Sequence, residues 1–428
     1  MFERFGLAEA STNVRTEVQA GFATFVAMAY IVVVNPAILA DAGMDAGAVF
    51  VATCIAAALG TLLMGVLANY PVALAPGMGQ NAFFTYGIVL GMGHPWQTAL
   101  GAVFLSGVIF IALSVLPVRE WLINAIPRSL KHGIASGVGL FIGFIALKNS
   151  GVIVDNPATF VALGDLGTLP PLLAILGFVL IVALSARRIP GAVLLGILGV
   201  TVLGWISGAA EFGGVVSLPP DPSPVLGQLD IGAAFQWSMI TVIVTLLLVD
   251  VFDTAGTLVG VATRSGLMTP EGHLPRLRSA LLADSGATAA GAVLGTSSTT
   301  SYIESGAGVA AGGRTGLTSV VTAGLFLACL FFAPLAGSVP AFATGAALLF
   351  VAALMTRALA DVDWEDYTEY APAVITALAM PLSFSIADGI GLGFICYAAI
   401  KVLSGKAKGC PLAVYVVALI FLGKFVAL

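Results

Sequence analysis

Leu247-Leu248-Val249-Asp250-Val251-Phe252-Asp253-Thr254-Ala255-Gly256-Thr257 closes an apolar run that begins near Trp237. A hydrophobic segment of that length reads as a membrane span. Asp250 and Asp253 therefore stand where a carboxylate is costly, roughly 2.5–3.5 kcal/mol at a helix centre. Three residues apart, they share one helical face. An intramembrane carboxylate pair marks a functional site first and a structural one second.

The rest of the chain has the same character. Of 428 residues, 59% are hydrophobic and only 9% charged, whereas soluble domains carry about 25% charge. The chain is read as a polytopic membrane protein embedded in a lipid bilayer. Its 51 glycines suit closely packed and broken membrane helices. The net charge of −5 is dispersed, and no basic block points to a nucleic-acid partner. Cys54, Cys329, Cys396 and Cys410 stand alone in apolar runs without metal spacing. No lysine is followed by Ser or Thr, so there is no Walker A motif. No cofactor is expected, and a solute mover of this kind would not be its own ATPase. The polar start, Met1 to Gln19, lacks a cleavable signal pattern.

Apolar runs between polar and Gly/Pro breaks give about fourteen spans. With the N-terminus inside, the loops expected to be cytoplasmic hold Arg119, Arg128 and Lys131; Arg187 and Arg188; Arg264, Arg276 and Arg278; Arg314; Arg357; and Lys401, Lys406 and Lys408. The loop from Gly208 to Trp237 has acids and no Lys or Arg, and Lys148 is the main exception. Pro411 to Leu428 could be one more span or an interfacial helix. The halves echo one another weakly: Ala57-Ala58-Leu59-Gly60 with Ala290-Gly291-Ala292-Val293-Leu294-Gly295, and the segment from Ala75 to Asn81 with that from Gly295 to Gly308. Seven plus seven spans makes the second copy inverted.

Two further segments cannot face lipid. Gly295-Thr296-Ser297-Ser298-Thr299-Thr300-Ser301-Tyr302-Ile303-Glu304-Ser305 has six consecutive hydroxyl residues and then an acid. Ala75-Pro76-Gly77-Met78-Gly79-Gln80-Asn81-Ala82-Phe83 disfavours helix at Pro76, Gly77 and Gly79. Non-helical backbone at membrane depth survives only beside protein or a water-filled cavity. Two such segments in corresponding halves point to a transporter binding site, each an extended piece leading into a half-helix. Asp250 and Glu304 are candidate acceptors for ligand N–H groups, and Asn81 can donate and accept. Phe83, Phe252, Tyr302 and Tyr30 are candidates for stacking on a flat ring. The bland readings stand beside these: Asp253 as a helix terminus, Asn81 as a helix cap, Glu304 in a solvated loop, and the aromatics as packing. Gly137-Val138-Gly139 with Gly143 is helix packing rather than a dinucleotide fingerprint. His94, His132 and His273 fall at span ends or in loops.

Four motifs in order resemble the AzgA-like purine permeases of the nucleobase–ascorbate transporter superfamily. They are the segments from Thr24 to Pro36, from Ala75 to Phe83, from Asp250 to Leu258 and from Gly295 to Ser305. The resemblance covers nearly the whole chain. It implies an all-α fold of fourteen spans in two inverted seven-span repeats, with spans 3 and 10 broken by short strands. A core domain (residues 1–117 and 234–337) would move against a gate domain (118–233 and 338–428) in an elevator-like cycle. It also implies proton symport, a homodimer, and a cell (inner or plasma) membrane location with the N-terminus cytoplasmic. The family's binding positions fall on Gly79, Asn81, Asp250, Asp253 and Glu304. The span-8 glutamate of the uracil and xanthine branches is absent.

The expected function is import of guanine, hypoxanthine or adenine, with Asp250, Asp253 or Glu304 carrying the proton. An anion or other nucleobase transporter of the same fold is the first alternative, although three carboxylates and no mid-span Arg or Lys oppose an anion. An intramembrane aspartyl protease using Asp250 and Asp284 is a remote one, since neither sits in a YD or GxGD context. A channel is a third, disfavoured by the half-helix pair.

Overall fold

Apolar helices of bilayer length build the chain, and two short strands interrupt them at its centre. The computed structural model describes residues 2–116, 126–236, 239–269 and 274–427. Arg119, Trp237 and His273 lie outside them. Among the described residues, nine segments are long and apolar enough to cross a membrane. Ala192–Ser207 and Leu412–Val426 are shorter apolar helices. Backbone polar groups in a bilayer must be satisfied internally, and helices do this residue by residue.

The first membrane segment is broken at its middle. Val14–Met28 and Ile31–Asp41 are separate helices, with Ala29 and Tyr30 in a turn between them. The helix carrying the opening motif runs Ile240–Ser265 without interruption. This corrects two expectations: the span, expected over 234–255, is helical from Ile240 to Ser265, and Asp253 is not a helix terminus. The helix continues through Thr254, Gly256, Thr257 and Gly260 despite their weak helix propensity, as tertiary packing allows, and the C-cap is Gly266 at φ 69°.

The two segments read as non-helical do contain strands. β1 (Leu74–Pro76) pairs antiparallel with Thr299–Ser301, here β4 after the surface hairpin strands β2 (Ile153–Asn156) and β3 (Phe160–Leu163). Leu74 faces Ser301, Ala75 faces Thr300 and Pro76 faces Thr299. Gly77 N–H donates to Ser298 O and Tyr302 N–H to Ala73 O, both at 2.9 Å, extending the ladder. Pro76 cannot donate, and at the last position of a two-stranded pair it costs no ladder bond that a longer sheet would need. Each strand then enters a helix, Met78–Ala82 continuing through Phe83–Gly91, and Ser305–Ala310. Gly77, not Asn81, is the N-cap of the first.

Packing gathers the helices into two groups. Val14–Met28, Ala46–Leu63, Trp96–Val115, Leu277–Leu294 and Gly316–Ala328 pack with one another around the strands. Arg128–Asn149, Leu169–Ala186, Ala192–Ser207, Ala341–Thr356, Tyr367–Ser383 and Ile386–Leu403 pack among themselves. Contacts between the groups are fewer; one is Gly79, where an added Cβ would meet Val138 Cγ1 at 2.5 Å. The buried Glu17 holds the first group together: it accepts from the amides of Arg314, Thr315 and Thr318 and from the Thr318 hydroxyl at 2.6 Å. It thereby takes the Thr318 N–H in the first turn of Gly316–Ala328, while Asn69 Oδ1 and Thr315 Oγ1 take those of Gly316 and Leu317. Arg314, whose charge fits a cytoplasmic loop, also donates from Nη1 to Val309 O and Gly313 O, at the carbonyl end of Ser305–Ala310.

The tail left open by the sequence is the helix Leu412–Ala427. Phe421 packs at Gly391, and Lys424 reaches Asp388 at 2.6 Å. Its far end thus meets the beginning of Ile386–Leu403, so the two run antiparallel.

Candidate functional site

The centre of the structure, where the strands cross, is crowded with polar side chains. Thr296, Ser297, Ser298, Thr299, Thr300 and Ser301 are all buried, as the run of hydroxyls requires if it is not to face lipid. Asn35, at 0% exposure, donates to Thr53 Oγ1 (2.7 Å) and Thr296 Oγ1 (2.9 Å), fixing the strand approach to the first two spans. Ser297 donates to Asn81 Oδ1. Tyr302 donates to Pro76 O across the strand pair.

Four carboxylates surround these strands, in two environments. Asp250 is 1% exposed and Asp284 0%. Asp250 accepts from Thr288 Oγ1 at 3.0 Å and from Gln80 Nε2 at 3.4 Å. Asp284 accepts from Thr254 Oγ1 at 2.7 Å and Ser301 Oγ at 2.8 Å. The single Thr288 proton lies between Asp250 and Thr299 O, 2.9 Å away, and Thr254 is 2.9 Å from the Thr300 hydroxyl. One network therefore links β4 to the helices Ile240–Ser265 and Leu277–Leu294. Among the described residues no Lys or Arg is hydrogen-bonded to either acid.

Asp253, one turn along, is exposed, and Glu304 is half-buried. They lie within electrostatic reach of each other, with Tyr302 near both. Tyr30 donates to Glu304 Oε1 at 2.7 Å, so the break in the first span places its ring beside the second broken segment. Asp253, Gly256 and Thr263 are exposed and Gly260 partly so, on successive turns of one face. Gly256 and Gly260 have nothing within 4 Å of an added Cβ. With Val259, they form an exposed stripe that runs from Asp253 toward the C-terminal end of its helix. On the N-terminal side Leu246, Leu248 and Val251 are buried.

The structure thus separates residues that the sequence grouped. It joins Asp253, Glu304, Tyr30 and Tyr302 at the head of this stripe, with half-buried Phe252 on the adjoining helix position. Asp250 and Asn81 lie deeper and fully enclosed, and among the described residues the amide nitrogen of Asn81 and Oε1 of Gln80 have no partner. Such orphaned polar atoms are costly unless water or a ligand reaches them. Gly79 touches the second helix group through Val138. Phe83 is 2% exposed with its ring over Gly87, which is core packing. Phe252 lies 5.5 Å beneath Lys131 Nζ. The residue that sequence reasoning undervalued is Asp284: an acid in an apolar run is itself the signal, and it entered only through the protease alternative.

Known proteins corroborate this architecture. A sequence profile of the Permease family (Xan_ur_permease) matches residues 15–392. The adenine permease AdeP of Escherichia coli is 50% identical over 427 residues, covering 100% of this chain and 96% of AdeP. The guanine/hypoxanthine permease PbuG of Bacillus subtilis is 45% identical over 436 residues, 99% of each chain. Among solved structures, the transmembrane domain of the cyanobacterial bicarbonate transporter BicA superposes with a TM-score of 0.64 at 16% identity, over 88% of this chain and 97% of BicA. SLC26A9 does so with 0.66 at 12%, over 94% and 66%. These two show the fold alone. The chain is a multi-pass membrane protein of the Permease family, in the AzgA-like purine-permease branch of the nucleobase–ascorbate transporter superfamily.

Proposed function

We propose that the protein is a secondary transporter that imports purine nucleobases with protons. The observation that carries this is the placing of Asp253 and Glu304 together, beside a buried strand pair with unpartnered amide groups. A purine edge offers ring and exocyclic N–H donors together with ring-nitrogen acceptors. Asp253 and Glu304 accept from the donors, and the Asn81 amide nitrogen serves an acceptor. Phe252 and Tyr302 offer flat faces. In a water-poor site each bond discriminates, because an analogue lacking the group leaves a buried partner unpaired. The adenine and guanine/hypoxanthine specificities of the related permeases support this substrate class.

The Asp250–Asp284 pair suits proton carriage. Burying both as anions without a cation would cost about several kcal/mol per ion, and a carboxyl pair can hold one proton between them. The two helix groups support an elevator-like cycle in which the strand-bearing core (1–117 and 234–337) moves against the gate (118–233 and 338–428), within a homodimer. Seven plus seven spans in inverted repeats fit the antiparallel pairing of β1 with β4. With the N-terminus cytoplasmic in the cell (inner or plasma) membrane, the antiparallel tail helix carries the C-terminus to the outer side. The stripe from Asp253 toward Thr263 then leads inward.

The test is uptake of radiolabelled adenine, guanine and hypoxanthine by proteoliposomes under an imposed proton gradient. Accumulation abolished by a protonophore supports the reading. Saturable sulfate uptake that purines do not compete with would replace it with anion transport.

A further inference from the structure

At the far end of the same half-helix, the two helix groups touch through a second polar cluster that the binding site does not use. Tyr86, on the helix that follows β1, is 5% exposed. Its hydroxyl donates to Asp41 Oδ2 at 2.5 Å, at the end of the first span and within the core group. The Asn149 amide, at the end of Arg128–Asn149 in the gate group, donates to the Tyr86 oxygen at 2.9 Å and to Asp41 Oδ2 at 3.4 Å. The Tyr86 ring also meets Phe384 edge-on, with centroids 6.3 Å apart. Phe384 joins Tyr367–Ser383 to Ile386–Leu403, in a left-handed conformation at φ 53°. It packs on Phe141 and Phe144 of the gate, at 5.3 and 5.9 Å, and lies under Lys148 Nζ at 5.5 Å.

The arrangement is asymmetric. Asp41 and Asn149 are exposed at the rim, whereas Tyr86 is buried between them. A non-glycine residue at positive φ carries strain that its surroundings must hold in place. Phe384 is held by the aromatic group it completes. The cluster closes the end of the helix interface opposite to the stripe that runs from Asp253 to Thr263. A rigid movement of the core along the gate must part Tyr86 from both Asn149 and Phe384, while the Tyr86–Asp41 bond, internal to the core, travels intact.

We propose that Tyr86, Asn149 and Phe384 form a latch between core and gate, with Asp41 positioning the Tyr86 hydroxyl, and that this latch sets the balance between the two access states. It rests on the transport reading and the two-group division, but its first readout needs no substrate. The reporter is a Gly256→Cys substitution on the exposed stripe beside Asp253, labelled with a water-soluble maleimide in detergent. In that background Tyr86→Phe removes the bond to Asn149. It lowers the labelling rate about three- to tenfold, as expected for one or two lost hydrogen bonds. Asn149→Ala gives a similar loss, and Leu90→Ala, an exposed residue on the same helix, gives none. A labelling rate unchanged by both Tyr86→Phe and Asn149→Ala, in folded protein by size-exclusion profile, overturns the latch whatever the substrate proves to be. The second arm is an Asp41→Cys/Asn149→Cys pair bridged by a short thiol cross-linker. Bridged protein keeps the fast Gly256→Cys labelling and loses transport, and cleaving the bridge restores it. Transport at the unbridged rate would show that core and gate do not part here.

Discussion

Two regions of this membrane protein bury carboxylates in opposite ways. In the second helix group, Glu369 meets Lys401 Nζ at 2.6 Å, and both are further tied, Glu369 to Tyr397 (2.9 Å) and Ser129, Lys401 to Thr368 (2.7 Å). That cluster joins three helices and leaves no charge uncompensated. At the strand crossing, Asp250 and Asp284 are at least as deeply buried, yet their partners are hydroxyls and the Gln80 amide. The contrast teaches what a buried acid's partners allow. Glu369 is matched by a cation, whereas Asp250 and Asp284, like the helix-bracing Glu17, have only neutral donors, and a carboxyl beside hydroxyls that can turn from donor to acceptor tolerates both protonation states.

The largest effects test the strand crossing. Glu304→Gln and Asp253→Asn each lower purine uptake about 10- to 100-fold, the loss of one or two bonds to a charged group. Initial-rate uptake at matched expression measures it, and wild-type rates in both variants would move the site elsewhere. Asp284→Asn keeps the shape of the network but removes an ionisable group. It abolishes accumulation against a gradient while leaving base exchange between the two sides of the membrane; accumulation retained would place the proton on another residue.

In the second helix group the expected change is in stability, not coupling. Lys401→Met leaves Glu369 without its cation. Because Glu369 is 24% exposed, the cost is discounted to about 1–3 kcal/mol. A lowered melting temperature in detergent reads it, and adding Glu369→Gln recovers part of the loss. A larger drop in the double variant than in the single one would deny that the pair acts as a unit. At the contact between the regions, Gly79→Ala drives a methyl into Val138 and slows transport; adding Val138→Ala relieves it, because overpacking costs about 1–3 kcal/mol.

The smallest effect is at the rim. The Lys406 ammonium, 2.9 Å from Asp366, and then the Thr368 hydroxyl hold the Asp366 carboxyl well below the usual carboxylate range. A depressed acid contributes stability above its unfolded value and loses it as pH falls through the folded one. Lys406→Met therefore shifts the melting temperature slightly at neutral pH. That difference fades in acid, and one growing in acid would contradict the assignment.

Much of this was readable beforehand, for physical reasons. Apolar length marks spans because a bilayer forbids unpaired backbone. Pro76 and Gly77, and the hydroxyl run to Ser301, could not be lipid-facing helix, and they form β1 and β4. The division of labour between Asp250 and Asp253 was not readable. One helical turn separates an enclosed acid from an exposed one, and that depends on Leu277–Leu294 packing over Asp250 through Thr288. Asp284 stayed obscure because its partners, Thr254 and Ser301, come from two distant segments. Phe83 and Phe252 look alike in sequence, and only Gly87 beneath the first ring shows that it is core.

The most direct test of the central claim is nucleobase uptake by purified protein in proteoliposomes with the interior alkaline. The account predicts accumulation of a purine base above its external concentration, collapsed by a protonophore, competed by other purines and lost in Glu304→Gln. Accumulation untouched by the protonophore, or equal uptake by wild type and Glu304→Gln, would contradict it.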